Sequence, residues 1–177
     1  EYLKMKIKII KLLIISIIVF IIGIFFISLN KSSLYNTKGL EGQVLKDVKL
    51  EYFNTSKFIL EKDLRENNFT LINFWASWCK PCLLEHPYLL KLNNEKNLKL
   101  IGVNFKDNKI NATRFLNENG NPYDLLAKDK LGKHSVGFGI YGIPESILIN
   151  KDLMIIKKFI GPIFEKDYIL IKDFVKK

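Results

Sequence analysis

The sequence predicts an α/β domain, a mixed central sheet with helices on both faces, behind one N-terminal membrane-spanning helix. Three observations predict it. Residues 9–29 (IIKLLIISIIVFIIGIFFISL) form a single apolar run in which Lys11 is the only charge. Residues 69–75 (FTLINFW) and 98–104 (LKLIGVN) are apolar, aromatic or β-branched through most of their length, the signature of strands buried on both faces. Stretches with helical spacing of apolar residues lie between and after them.

At about 1.5 Å per residue, residues 9–29 give roughly 31 Å of helix, close to the hydrocarbon thickness of a bilayer. Lys11 lies near its end and can snorkel towards the headgroups. The exit, Ile27-Ser28-Leu29-Asn30-Lys31, lacks the small-residue site of a cleaved signal peptide, so an uncleaved anchor is expected. Lys4, Lys6, Lys8 and Lys11 precede or open the span, and the positive-inside rule then puts residues 1–8 in the cytoplasm and everything after Asn30 outside. The sequence opens on Glu1, and Met5 is an alternative start that it leaves open. Residues 30–42, short, polar and containing glycine and serine, read as a linker, and residues 43–177 as the folded domain.

Within that domain, Val44, Val48, Leu50 and Tyr52 alternate with polar neighbours over residues 43–58, a strand pattern. Glu61-Lys62-Asp63-Leu64 suits a short helix. The strand at 69–75 hands over to a helix opened by Cys79, with Pro87 in its middle predicted to kink it. After the strand at 98–104, residues 110–119 read as a helix stopped by Gly120, and residues 123–126 as a short further piece. Residues 146–150 and 154–159 are two strands joined through Asn150-Lys151-Asp152, and residues 163–175 form a final amphipathic helix.

Composition narrows the function. The formal charge is +10, from 28 basic and 18 acidic residues, which raises the question of nucleic acid or an acidic membrane surface. The basic residues are 26 Lys and 2 Arg, scattered along the chain, and arginine is what reads phosphates and guanine edges bidentately. A solvated lysine-rich surface is the expectation, with no nucleic-acid partner. The two cysteines, Cys79 and Cys82, are too close together for a framework of structural disulfides.

Trp78-Cys79-Lys80-Pro81-Cys82 falls where a strand becomes a helix. A cysteine attacks as thiolate, and the unpaired N–H groups and macrodipole of a helix N-terminus favour that anion, so Cys79 is expected to have a lowered pKa. Two intervening residues put Cys82 one turn away, within reach of a disulfide, and Pro81 in the first turn loses no hydrogen bond. Cys79 is then expected to be the exposed attacker and Cys82 the buried resolver. The alternative is a metal site, in the form of copper delivery, with His86 or His134 as further ligands. His86 lies two turns down the helix and His134 reads as a loop residue, so no metal ligand is assigned.

The run from Asn73 through Cys79 and Cys82 to Glu85-His86-Pro87 resembles the active-site segment of membrane-anchored thioredoxin-like reductases, with most similarity to the CcmG/DsbE type that serves cytochrome c maturation. Gly102-Val103-Asn104-Phe105-Lys106-Asp107, Asn121-Pro122-Tyr123 and Tyr141-Gly142-Ile143-Pro144-Glu145 are similar to the same branch, and together the match runs from about Val44 to Gly161. The resemblance implies a thioredoxin-like fold and a cis Pro144 across from the cysteine pair. It also implies that the backbone of Ile143 pairs with a substrate strand. Trp78 would border the attacked sulfur, and Glu145 would contribute groove electrostatics. Many thioredoxins carry a buried Asp where this chain has Asn73, which cannot titrate. Like the CcmG type, the chain has an acid three residues after the second cysteine, and Glu85 at i+3 shares a helix face with Cys82. Glu85 is therefore expected to accept its proton, with a pKa raised by burial.

The implied function is thiol–disulfide exchange facing the periplasm from the inner membrane. It needs no cofactor beyond the redox-active pair Cys79–Cys82. The expected substrate is apocytochrome c at its C-x-x-C-H haem-attachment cysteines, or a carrier that holds them, and the electron donor a membrane protein of the DsbD or CcdA type. A DsbA-like oxidant would share fold and cysteines; reduction potential sets the direction.

Overall fold

The computed structural model describes residues 2–30 and 37–176. The chain divides into two compact units, Glu1–Asn36 and Thr37–Lys177. The first holds one helix, α1 (Tyr2–Asn30), which takes in the lysines ahead of the expected span as well as the span itself. Among the described residues it is the one helix long and apolar enough to cross a membrane, over Lys4–Phe26. Among its described side chains the apolar ones, Leu12, Phe20 and Phe25 among them, are exposed, a surface that calls for lipid rather than water. Of the expected linker, residues 31–36 lie outside the described residues, and Thr37–Leu40 forms one 3-10 turn.

In the second unit the chain runs through β1 (Lys49–Tyr52), β2 (Phe58–Leu60), α2 (Glu61–Leu64), β3 (Phe69–Trp75), α3 (Lys80–Leu92), β4 (Leu98–Phe105), α4 (Lys109–Asn119), β5 (Leu125–Asp129), α5 (Lys133–Gly137), β6 (Glu145–Asn150), β7 (Ile155–Ile160) and α6 (Glu165–Val175). The strands form one sheet in the order β2-β1-β5-β4-β3-β6-β7. β3, β4 and β5 are parallel neighbours joined through α3 and α4, while β6, β7 and the β1–β2 hairpin are antiparallel to their neighbours.

The alternation of β3 explains the two layers. Leu71 and Trp75 join Leu100, Leu148 and the inner faces of α3, α4 and α6 in one cluster, which includes Cys79, Cys82, Leu89 and Leu116. Ile72 and Phe74 join Ile101, Val103, Ile147 and Ile149 in the other, with Leu64 from α2 and Phe138 after α5. Leu71, Ile72, Phe74 and Ile101 are completely buried. Each contributes roughly 1.5–3 kcal/mol in apolar transfer alone. The mixed sheet covered on both faces is the architecture predicted.

The elements differ from expectation in four places. The extended stretch at 43–58 is broken. Val44 makes an isolated bridge to Met154, β1 starts at Lys49, and a turn in which the Thr55 hydroxyl accepts from Lys57 N sends the chain back into β2. The short piece at 123–126 is instead the lead through Tyr123 and Asp124 into β5, whose LLAKD sequence carries too little β-branched character to read as a strand. His134 sits in α5, not in a loop. That short helix is held by Asp129 at the end of β5, which accepts from both the backbone N–H and the hydroxyl of Ser135 at 2.7 Å. Cys79 is the N-cap of α3, and the helix proper starts at Lys80.

A candidate redox site at the end of the central strand

β3 ends at Trp75, and residues 76–78 turn the chain into α3. Cys79 has extended backbone angles there, as an N-cap requires, and its side chain takes the capping role that Ser or Asp usually fills. Cys79 Sγ accepts from the backbone N–H of Cys82 at 3.2 Å, so a thiolate at this sulfur would meet a donor already aimed at it. Pro81 lies in the first turn, where no backbone donor is lost. Cys79 and Cys82 are joined as a disulfide. The expected contrast between an exposed attacker and a buried resolver is not seen: Cys79 is 4% exposed and Cys82 2%.

One turn beyond Cys82, Glu85 is completely buried beneath the site. Its Oε1 accepts from Asn73 Nδ2 at 2.8 Å and its Oε2 from the backbone N–H of Ile163, just ahead of α6, at 2.9 Å. Burial raises its pKa from 4.5 to about 7, and the two donors, Ile163 and then Asn73, hold it from rising further. The network continues from Asn73. Its second N–H goes to Ser146 Oγ at 2.9 Å, and its oxygen accepts from the Tyr123 hydroxyl at 2.7 Å. Burial and, secondarily, the Glu85 charge keep that phenol protonated well above its usual range.

Trp78 is more than half exposed at the mouth of the site, and its indole N–H donates to the carbonyl of Lys106 at 3.1 Å. Beside it, the carboxylate of Asp107 ties down the turn ahead of Cys79. Oδ2 accepts from Ser77 N at 2.6 Å and Asn104 Nδ2 at 2.9 Å, and Oδ1 accepts from the Ser77 hydroxyl at 2.9 Å and Asn108 N at 2.7 Å.

Ile143–Pro144 is a cis peptide bond. Phe74 pairs with Glu145 across β3 and β6, so Pro144 enters at the end of the sheet from which the chain leaves towards Cys79. Ile143, half-buried, packs against the cluster containing both cysteines. Glu145 does not have the groove role expected of it. Its side chain is turned to the other face of the sheet, where Oε1 accepts from the backbone of Tyr141 and Gly142 at 3.3 and 3.0 Å. Its Oε2 meets the buried Lys158 ammonium at 2.7 Å. The side chain braces the loop that presents Ile143 and Pro144.

Among the described residues no group of three His, Cys, Asp or Glu is placed to hold a metal ion. His86 is packed edge-on against Phe115 and donates from Nε2 to the carbonyl of Gly120 at 2.9 Å, with burial lowering its pKa. The structure thus gathers Cys79, Cys82 and Glu85 along α3 and brings Ile143 and Pro144 to the same end of the sheet. It adds Ser77, Asp107, Asn73, Tyr123 and Ser146. Ser77, Asp107 and Tyr123 stood inside resemblance motifs without a role, and Ser146 directly follows Glu145 at the end of another.

The redoxin family model matches residues 40–168. The chain is similar to the thiol:disulfide interchange protein CycY of Rhizobium leguminosarum bv. viciae, at 45% identity over 97 residues, 55% of this chain and about half (52%) of that protein's length. It is also similar to the thiol:disulfide interchange protein HelX of Rhodobacter capsulatus, at 36% identity over 126 residues and 71% of each chain. A crystal structure assigned to the thiol:disulfide interchange protein DsbE of Chlorobium tepidum superimposes with a TM-score of 0.64 over 77% of this chain and 96% of that one. At 22% identity this likeness shows the thioredoxin-like fold alone. With a disulfide-forming pair capping a helix at the end of the central strand, and with these matches in sequence and fold, the chain belongs to the redoxin family and stands among its thiol:disulfide interchange proteins.

Proposed function

We propose that the protein is a membrane-anchored thiol–disulfide oxidoreductase working in the reducing direction, with its N-terminus in the cytoplasm and its redox domain facing the periplasm. Its substrate is the oxidised C-x-x-C-H haem-attachment site of apocytochrome c, or the disulfide of a carrier that holds those cysteines. Haem ligation needs reduced thiols in a compartment that keeps thiols oxidised, and a dedicated reductase resolves that conflict.

The observation that carries this reading is the completely buried Glu85 carboxyl, held by Asn73 and the backbone of Ile163 one helical turn from Cys82, where burial raises its pKa. In the reduced enzyme the Cys79 thiolate attacks one sulfur of the substrate disulfide, breaking that bond and releasing the other sulfur as a thiolate. Cys82 gives its proton to Glu85 and attacks Cys79 Sγ. The mixed disulfide breaks, the second substrate thiolate leaves and takes up a proton, and Cys79–Cys82 is left oxidised. Two electrons have passed to the substrate. A membrane dithiol donor of the DsbD or CcdA type returns them by the reverse exchange. Ile143 and Pro144 enter at the end of the sheet from which the chain leaves towards Cys79, and an extended substrate segment is expected to lie along them.

The test is the reduction potential of the pair in the full-length protein in detergent, equilibrated against a thiol buffer. A value near that of thioredoxin, about −270 mV, is expected. A value near that of DsbA, about −120 mV, would make the protein an oxidant and remove the cytochrome assignment.

A further inference from the structure

We infer that Tyr123 is a positioning residue of this redox reaction: its hydroxyl orients the Asn73 amide so that N–H, not oxygen, faces Glu85, and thereby sets the pH at which Glu85 accepts a proton. The inference rests on the proton-acceptor reading of Glu85 and deepens it.

An amide side chain is nearly symmetric in shape, so its partners decide which end points where. Asn73 has both kinds of partner. Its Nδ2 reaches Glu85 Oε1 and Ser146 Oγ, and its Oδ1 takes the Tyr123 proton at 2.7 Å. Turned over, the amide would set its NH2 against the phenol and its oxygen against the carboxyl. The phenol proton would lose its acceptor, and Glu85 would be tolerated only in its protonated form. The hydroxyl thus selects the orientation that favours the carboxylate.

The sequence builds a seat for this phenol. The Tyr123 ring stacks on Trp75 with centroids 5.7 Å apart. It also lies against Gly102, the partner of Asn73 across β3 and β4, where a Cβ would come within 2.6 Å of the ring. The Asn121 side chain accepts from Tyr123 N, and Asn93 holds the carbonyl of Pro122, fixing the turn that delivers it.

The neighbouring titratable groups have other partners: Tyr88 of α3 and Tyr168 of α6 face each other with ring centroids 6.2 Å apart. On α3, Cys82 shares the face of Glu85, and His86 is turned to Gly120 and Phe115. From the segment before α6 only the backbone of Ile163 reaches Glu85; Glu165 and Lys166 are exposed and Asp167 accepts from Phe164 N. β4 offers Gly102 and α4 the apolar Ala112 and Leu116. The Glu145–Lys158 pair belongs to the opposite face of the sheet, that of Ile147 and Ile149.

The experiment follows the Glu85 carboxyl by 13C NMR across pH in the full-length, disulfide-oxidised chain in detergent, where Cys82 does not titrate; the signal that disappears in E85Q assigns it. The wild-type midpoint is expected near 7. Y123F is expected to raise it by about one pH unit, the weight of one hydrogen bond to a charged acceptor. N73L is expected to raise it as well, and the double variant Y123F/N73L to match N73L alone, which a merely structural tyrosine would not do. An unchanged midpoint in Y123F, or an effect that adds to that of N73L, overturns the inference; should Y123F fail to fold, a midpoint in N73L equal to wild type does so. The pH profile of mixed-disulfide resolution, measured beside it, separates the two claims. If E85Q keeps the wild-type profile, the proton-acceptor reading falls, whatever Tyr123 does to the carboxyl.

Discussion

Removing the Asp107 carboxylate is expected to loosen the turn that carries Cys79 and to destabilise the domain by about 3 kcal/mol. Four donors converge on it: two from Ser77, one from Asn104 and one from Asn108. Asn108 is exposed and rehydrates when the carboxylate goes. The other three donors are partly or fully buried. A hydrogen bond to a charged acceptor contributes about 1.5–3 kcal/mol when buried, and partial exposure puts these three nearer 1 kcal/mol each. In a domain of this size about 3 kcal/mol lowers the melting temperature by roughly 10 °C. D107A should show this in thermal unfolding of the oxidised full-length protein in detergent. D107N should cost at least as much, because its NH2 would face N–H groups that need an acceptor. S77A removes the hydroxyl bond, about 1 kcal/mol, and the double variant S77A/D107A should fall short of the sum, since the two side chains share that bond. The turn lies two residues before Cys79, the proposed attacker, so disulfide exchange by D107A should slow roughly tenfold. If both Asp107 variants melt within about 2 °C of wild type, equivalent to roughly 0.5 kcal/mol, water replaces the carboxylate without loss and the reasoning fails.

Glu85 makes stability depend on pH. Its pKa rises on folding, from 4.5 to about 7, so between these values the folded state holds more protons than the unfolded one. Its contribution is fully present below about pH 4.5 and is lost as pH rises through about 7, a total of roughly 3 kcal/mol. Urea unfolding at pH 5 and pH 8 should therefore show wild type losing stability relative to E85Q as pH rises; parallel behaviour of the two proteins would show that water reaches the carboxyl. On the other face of the sheet, K158M is expected to cost about 3–5 kcal/mol by leaving Glu145 charged and buried without its ion partner, and the isosteric E145Q added to it should recover part of that. Chemical denaturation decides this, and a loss of less than about 1 kcal/mol would mean that Glu145 finds water when Lys158 is gone.

Much of the fold was legible because its central strands are so apolar. A run such as FTLINFW has no solvent face to offer, and it is buried from Thr70 to Trp75. The cysteine pair was legible for a different reason: its chemistry needs a helix start, and Pro81 marks one. What stayed hidden is what depends on pairing between distant segments. β5 is a strand because β4 and β1 bracket it, not because LLAKD favours one. Glu145 stood beside Pro144 and invited a groove role. One residue decides the face of a sheet, and at 145 the side chain shares the side of Ile147 and Ile149. Ser146, its neighbour, is thereby the one that reaches the redox side. The exposure of Cys79 was misjudged because helix N-termini are usually solvated, whereas here Cys79 and Cys82 both join the buried cluster of Trp75, Leu89 and Leu116.

Strand direction accounts for the rest of the site. β3 and β4 are parallel and in register from Phe69–Leu98 to Trp75–Asn104, so the chain leaves both at the same end, towards Cys79 from one and Asp107 from the other. β6 runs the opposite way beside β3 and so begins there, with Pro144 and Glu145. Residues far apart in sequence meet because three strands share one end, the position at which open α/β sheets place their ligands. α3 then runs back along β3, and five residues into it Glu85 has returned to the level of Asn73, below the sulfurs and away from solvent. Electrons and protons are handled at different depths. The disulfide lies at the end of the sheet, and the Glu85 carboxyl proposed to accept the proton lies where desolvation acts on it. Donor number sets the balance there: a carboxylate with three backbone donors titrates far in the acid range, whereas the one backbone and one amide donor of Glu85 leave burial as the larger influence. A third donor would fix the charge and none would abolish it, so the pairing of Ile163 with an oriented Asn73 is what keeps this carboxyl able both to take a proton and to give it back.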